Sequence, residues 1–198
     1  AFQEEFLSEV KSLKESPIDL NNDLLRDMFE QGRKISPQII PAVREYFNEY
    51  EVISIEEELM EDIDDFDSYG RKFKGFIDLV LKTSDGKYHI IDWKTCSWGW
   101  NSRKKTDKII NYQLTMYKHF FSKKHSIDPS LIETHFALLK RTAKNNNVEI
   151  FNVPTGKQKT INCLKLLERS VINMERHISP KNRLSCKYCK FYKTENCK

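Results

Sequence analysis

Two aspartates and one lysine carry most of the chemical information in this sequence. Asp78 sits inside an apolar run, Phe76-Ile77-Asp78-Leu79-Val80. Asp92 and Lys94 close another, Ile90-Ile91-Asp92-Trp93-Lys94. A carboxylate in an apolar strand is costly unless something compensates it. Asp92 and Lys94 are two residues apart, so on a strand they project from one face. Between the runs lies Ser84-Asp85-Gly86, and Asp-Gly is a strong hairpin signal, so Asp78 is expected near Asp92. Two carboxylates that close repel when ionised, which raises one pKa unless a divalent cation lies between them. Their hard oxygens suit Mg²⁺ or Mn²⁺. An ammonium beside such a cation can polarise a phosphate or help orient and deprotonate a water. An isolated Asp-x-Lys is usually a strand-end salt bridge; the second aspartate across a hairpin shifts the reading towards a metal site.

The surrounding pattern supplies the elements that must hold these groups. Residues 1–15 and 20–32 read as helices broken at Ser16-Pro17, with Asn21 or Asn22 capping the second. Residues 36–41 form a Pro-bounded joint, and 41–50 a short helix with Pro41 in its first turn. Period-two alternation then predicts strands over 52–59, 73–82 and 88–93. Ile110, Leu114, Tyr117 and Phe121 recur at helical spacing and predict a helix over 106–122. Strands are expected at 133–140 and 147–153, and a last helix at 160–176, ended before Ser179-Pro180. That order predicts an α/β fold: a central mixed five-stranded sheet flanked by helices, with a cysteine-containing C-terminal tail. A single domain is expected, with a helical part at 1–50, the core at 51–153 and the last helix and tail at 154–198.

Charge and composition narrow the partners. The 198 residues hold 33 Lys plus Arg against 29 Asp plus Glu, so 33 − 29 gives +4. That balance permits a nucleic-acid partner without demanding one. Its distribution says more: 56–66 is strongly acidic, while 101–108 and 138–144 are basic. At 39% hydrophobic residues, the chain is too apolar for disorder. No run approaches the roughly 18–20 apolar residues of a membrane span. The opening AFQEEFLSEV lacks a secretory h-region, so a cytoplasmic protein is expected. A start at Ala1 rather than Met suggests that residues precede it. Five cysteines, an odd number without a secretory signal, point away from a disulfide framework. Cys186-x2-Cys189-x7-Cys197 supplies three ligands of a metal site that usually wants four; Cys163, Cys96 or His177 could complete it.

Gly75-Phe76-Ile77-Asp78, then Ile91-Asp92-Trp93-Lys94-Thr95, then Gln113-x3-Tyr117 resemble the PD-(D/E)XK nuclease superfamily in its RecB-like branch. The resemblance covers about residues 29–121 and is extended by the tail. It implies a restriction-endonuclease-like core and a divalent-metal-dependent DNA nuclease. Asp78, Asp92 and the Trp93 backbone carbonyl would be metal ligands, and Lys94 the catalytic lysine. Gln113 and Tyr117 would lie beside the cleft. A glutamate on the first strand often joins the site in this branch, here Glu56, with Glu58 as the second choice. One position departs: where the branch carries a metal-binding histidine after a glycine, Gly32-Arg33-Lys34-Ile35 leads to Ser36. A water-mediated ligand, a single metal or reduced activity would follow. The tail resembles the C-x2-C…C of iron–sulfur RecB-like nucleases, so Cys163, Cys186, Cys189 and Cys197 could hold a [4Fe-4S] cluster or Zn²⁺ that clamps the tail.

Arg103, Lys104, Lys105, Lys108, Lys140, Arg141 and Lys144 could track a phosphate backbone, and Trp98 and Trp100 could stack on unpaired bases. The expected substrate is single-stranded or end-bearing DNA, cut by an exonuclease without sequence preference. The competing readings are a catalytically weakened DNA-binding module of the same fold and a docking protein for a helicase or another replication or recombination protein. The Lys/Asn-rich, compact style suggests a phage, and hence a host cytoplasm.

Overall fold

The computed structural model describes residues 2–15, 20–181 and 183–197, with the backbone alone at 183–185. Helix α1 (Phe2–Lys14) packs on α2 (Asn22–Phe47) through Phe2, Phe6 and Phe29, whose ring centroids lie 5.4–6.1 Å apart. The expected break at Ser16-Pro17 lies outside the described residues. Asn21 caps α2, its side chain accepting the Leu24 N–H at 3.0 Å.

The Pro-bounded joint at 36–41 is corrected: α2 runs unbroken through Pro37 and Pro41. An interior proline costs about 3 kcal/mol or more. Ile35, Val43 and Phe47 are buried on one side of the helix, and each contributes roughly 1.5–3 kcal/mol by leaving water. Tertiary burial therefore outweighs the local break signal. The helix ends at Asn48, whose left-handed φ of 58° and N–H to the Arg44 carbonyl (2.9 Å) close the last turn.

The sheet order is β1-β2-β3-β4-β5, formed by β1 (Tyr50–Asp62), β2 (Lys72–Thr83), β3 (Tyr88–Cys96), β4 (Ile132–Lys140) and β5 (Val148–Asn152). β1, β2 and β3 form antiparallel hairpins, and β5 is antiparallel to β4. Only β3 and β4 are parallel. A parallel pair needs a long crossover. Here it runs through the short α3 (Ser102–Lys105) and α4 (Lys108–His125), which Asp107 caps by accepting the N–H groups of Ile109 and Ile110. The last helix is α5 (Lys157–Glu175). Gly86 carries φ +82° in the β2–β3 turn, a conformation that glycine adopts without steric cost.

The strands divide the sheet into two apolar layers, with the alternation of β2 broken between Ile77 and Val80, which share a layer although three residues apart. Ile77, Val80, Ile90 and Phe136 pack with Leu114, Tyr117, Phe120 and Phe121 of α4. Leu81, Ile91 and Ala137 pack with Val43 and Phe47 of α2. Asp92 follows Ile90 by two residues and so faces the α4 side, whereas His89 and Ile91 face α2. The mixed α/β sheet with helices on both faces is the architecture the sequence predicts. No helix among the described residues is long and apolar enough to cross a membrane.

Candidate active site

The hairpin places the two aspartates where its strands part. The β2–β3 register runs from Lys82↔Tyr88 to Leu79↔Ile91 and stops there. Just beyond that pair, the Trp93 N–H donates to Asp78 Oδ2 at 2.6 Å. A side-chain carboxylate thus takes the place of a ladder carbonyl, which ties Asp78 to β3 beside Asp92. Asp92 is 1% exposed. Lys94 Nζ approaches its Oδ2 to 2.5 Å and stands 5.9 Å from the Phe136 ring centroid. That contact is an ion pair by distance but lacks hydrogen-bond geometry, and the same buried Oδ2 has no hydrogen-bond partner. Burial pushes the Asp92 carboxyl up to about 6; Lys94 opposes the rise and the charge of Asp78 adds to it. A buried carboxylate oxygen whose close partner is one ammonium, beside a second carboxylate, is a donor set that suits a hard divalent cation. The residues therefore fit a divalent metal of the kind the resemblance implies.

Around this pair the other expected residues fall into two groups. Gln113 and Tyr117 come together on α4, the Gln113 side-chain amide donating to the Tyr117 hydroxyl at 3.0 Å. With Phe73, Lys74 and Gly75 they line a hollow of about 290 Å³. Gly75 is required by that close approach: a Cβ there would lie 2.8 Å from Tyr117 Cε1. Tyr117 is only 8% exposed and cannot swing clear. Gly75→Ala is expected to cost about 1–3 kcal/mol through overpacking. Thermal unfolding and nuclease rate should fall together, and an unchanged Tm would refute the packing argument.

On β1, Glu56 lies between Ile55, paired with Leu79, and Glu57, paired with Ile77, level with Asp78 on the next strand. It is exposed, at a left-handed φ of 51°. Glu58 is exposed and lies 3.4 Å from Lys74 Nζ. The intervening Glu57, which the sequence reading passed over, is the held one. Its carboxylate accepts from Ser54 Oγ (2.5 Å) and Lys124 Nζ (2.9 Å) and meets the His125 ring at 2.6 Å.

Packing distinguishes among the surface residues expected to meet DNA. Trp98 is 77% exposed, but Trp100 is given to the core, edge-on to Phe136 and Phe151 with its ring nitrogen buried. Lys105 is paired with Glu149 at 2.5 Å, and Lys140 reaches the same carboxylate at 3.3 Å. Arg103 and Lys104 stay on the exposed face of α3, with Lys104 over the Trp100 ring at 4.7 Å. Cys163 is buried in α5, its thiol donating to the Tyr112 carbonyl at 3.7 Å, and burial pushes that thiol up to about 12. It is placed as a core thiol; in the tail Cys186 is half-buried, and Cys189 and Cys197 are exposed. Among the described residues, the three-ligand set whose atoms converge is His89, Glu133 and His135, not the cysteines. Ser36 lines an apolar groove of about 350 Å³ that also contains Thr95, the neighbour of Lys94.

No curated protein matches the chain. Among solved structures, the crystal structure of a protein called "Putative exonuclease" from Eubacterium rectale aligns with a TM-score of 0.51 at 13% identity. The alignment covers 82% of this chain, which spans 58% of that protein. A second structure, SSO0001, aligns with a TM-score of 0.48 at 16% identity, over 96% of this chain and 93% of that one. At these identities the first shows a common fold and nothing finer. A model of the PD-(D/E)XK nuclease superfamily matches residues 3–194. The chain therefore belongs to the PD-(D/E)XK nuclease superfamily.

Proposed function

We propose that this chain is a divalent-metal-dependent DNA nuclease of RecB-like type, an exonuclease that degrades single-stranded or end-bearing DNA without sequence preference. The observation that carries the reading is the Lys94 ammonium 2.5 Å from the buried Asp92, beside an Asp78 held by the Trp93 N–H. Asp78 and Asp92 would hold Mg²⁺ or Mn²⁺, with the Trp93 carbonyl as a further ligand. When bound, the cation would lower the pKa of a water and stabilise charge on the phosphoryl oxygens.

The chain's own groups do the rest. Lys94 sets a positive charge beside the carboxylate pair, where it can meet a phosphate oxygen or orient the attacking water. Glu56 is level with Asp78 and held in a conformation that non-glycine residues adopt at a cost, as residues at working sites often are. It would reach the metal or its water. Gln113 and Tyr117 would brace the cleft wall at Gly75. Arg103 and Lys104 would neutralise phosphates, and Trp98 would stack on a base.

The test is degradation of labelled linear single-stranded, linear duplex and covalently closed circular DNA, with Mn²⁺, Mg²⁺ or EDTA. Linear DNA is expected to be lost in either metal and spared in EDTA, while circles persist. Cutting of circles would replace exonuclease with endonuclease, and binding without products would replace the enzyme with a binding module. In the same assay Trp98→Ala should weaken single-strand binding by about 1–3 kcal/mol, the usual worth of one stacked base.

A further inference from the structure

His89, Glu133 and His135 lie on the α2 side of the sheet, opposite the face of Asp92 and three residues back along β3. The parallel register places His89 beside Glu133 and Ile91 beside His135. Each of the three offers a ligand atom within 4.8 Å of the others. His89 Nδ1 stands 3.1 Å from His135 Nε2 and 3.9 Å from Glu133 Oε2. Two nitrogens bound tetrahedrally at 2.0–2.1 Å would stand about 3.3 Å apart, so the imidazoles are already near ligand spacing.

We propose that His89, His135 and Glu133 form a second cation site, separate from the catalytic carboxylates, that takes a borderline d-block ion of the Zn²⁺ class. Two imidazoles and one carboxylate are the donors such an ion prefers, whereas Mg²⁺ favours oxygen. Three protein ligands leave one position open, and the site opens into a cavity of about 670 Å³ lined also by Tyr46, Asn48 and Asp85.

The groups behind the ligands are arranged to suit. Thr83 Oγ1 lies 2.5 Å from Asp85 Oδ1 and donates to it, so it accepts the His89 Nε2–H at 2.9 Å. That leaves the Nδ1 lone pair of His89 facing the cluster, the outer-shell pattern that fixes a ligating imidazole. His135 is 2% exposed, with Phe47 edge-on to its ring at 5.1 Å and its Nε2 facing His89. Lys87 bonds Glu133 Oε1 at 2.7 Å and leaves Oε2 towards the histidines. A bound ion would tie the starts of β3 and β4 together beneath the end of α2.

The test uses the full chain with Cys186, Cys189 and Cys197 changed to Ser and Asp92 to Asn, which disables the other two candidate metal sites. After chelation, Zn²⁺ is titrated and retained metal counted; Co²⁺ is the spectroscopic probe. One equivalent of Zn²⁺ is expected, with four-coordinate Co²⁺ bands, no thiolate charge transfer, and a Tm that rises with Zn²⁺ concentration. His135→Gln, and separately Glu133→Gln at a half-buried position that the fold tolerates, should weaken binding at least about tenfold. Retention of no zinc, or affinity indifferent to both variants in folded protein, overturns the proposal and leaves a buried His–His hydrogen bond. Nuclease activity of the unmodified catalytic site is a separate readout, so failure here leaves the nuclease reading untouched.

Discussion

Lys94→Ala is expected to lower the rate of metal-dependent DNA hydrolysis about 10²–10⁴-fold, the range for a positioned acid–base or electrostatic group. DNA affinity should stay within a few-fold, because Lys94 is one cation among several, and Arg103 and Lys104 are more exposed. The ammonium is 2.5 Å from Asp92 Oδ2, and its side chain is 31% exposed, so it reaches both the carboxylate and the cleft. Removal has a second effect. Lys94 is what holds the Asp92 carboxyl down against burial, so without it Asp92 takes a proton more readily at neutral pH. Metal affinity should therefore weaken as well, and saturating Mn²⁺ should recover part of the loss. Lys94→Arg separates the two roles. It restores the charge, but its guanidinium holds its proton throughout and is larger and planar. Recovery of metal affinity without recovery of rate is the expected pattern. A Lys94→Ala enzyme within threefold of wild type at saturating metal would remove the lysine from the chemistry.

Asp92→Asn should abolish cleavage and, at pH 7 without metal, make the protein more stable. Asp92 is 1% exposed and its carboxyl is pushed from an ordinary 3.8 up to about 6. The folded chain thus binds this proton more tightly than the unfolded chain. The favourable contribution of the group is full below pH 4 and is lost as pH rises through about 6. A shift of about two units corresponds to about 3 kcal/mol at pH 7. The neutral amide escapes that cost, so the metal-free variant should gain about 1–3 kcal/mol. For a chain of this size, each kcal/mol moves Tm by about 2–4 °C. Mn²⁺ should raise the Tm of the wild type and leave the variant nearly unmoved. Thermal melts in EDTA from pH 4 to 7.5, with and without the substitution, read the effect. A flat wild-type profile, or a variant less stable at pH 7, would contradict the burial argument.

The parts of this site legible in the sequence are those within one hairpin or one helical turn. Asp78, Asp92 and Lys94 are linked by a short turn that Asp85-Gly86 announces, and strand periodicity sets which side chains share a face. Gln113 and Tyr117 are one turn apart, and their hydrogen bond follows from that spacing. The glutamates were harder. Glu56, Glu57 and Glu58 look alike in a row, and the change of register in β1 and the positive φ at Glu56 come from pairing with β2.

Local pattern alone was enough for the α/β order, the paired aspartates and the lysine beside them, because each depends on neighbours fewer than about fifteen residues away. Tertiary structure decided the rest. It carried α2 through two prolines by burying Val43 and Phe47, sent Trp100 inward while Trp98 stayed in water, and kept Cys163 in the core. It also set His89 against Glu133 and His135 through a parallel pairing of strands 44 residues apart in sequence. Burial and parallel pairing are set by chain segments distant in sequence, and no spacing within one segment records them.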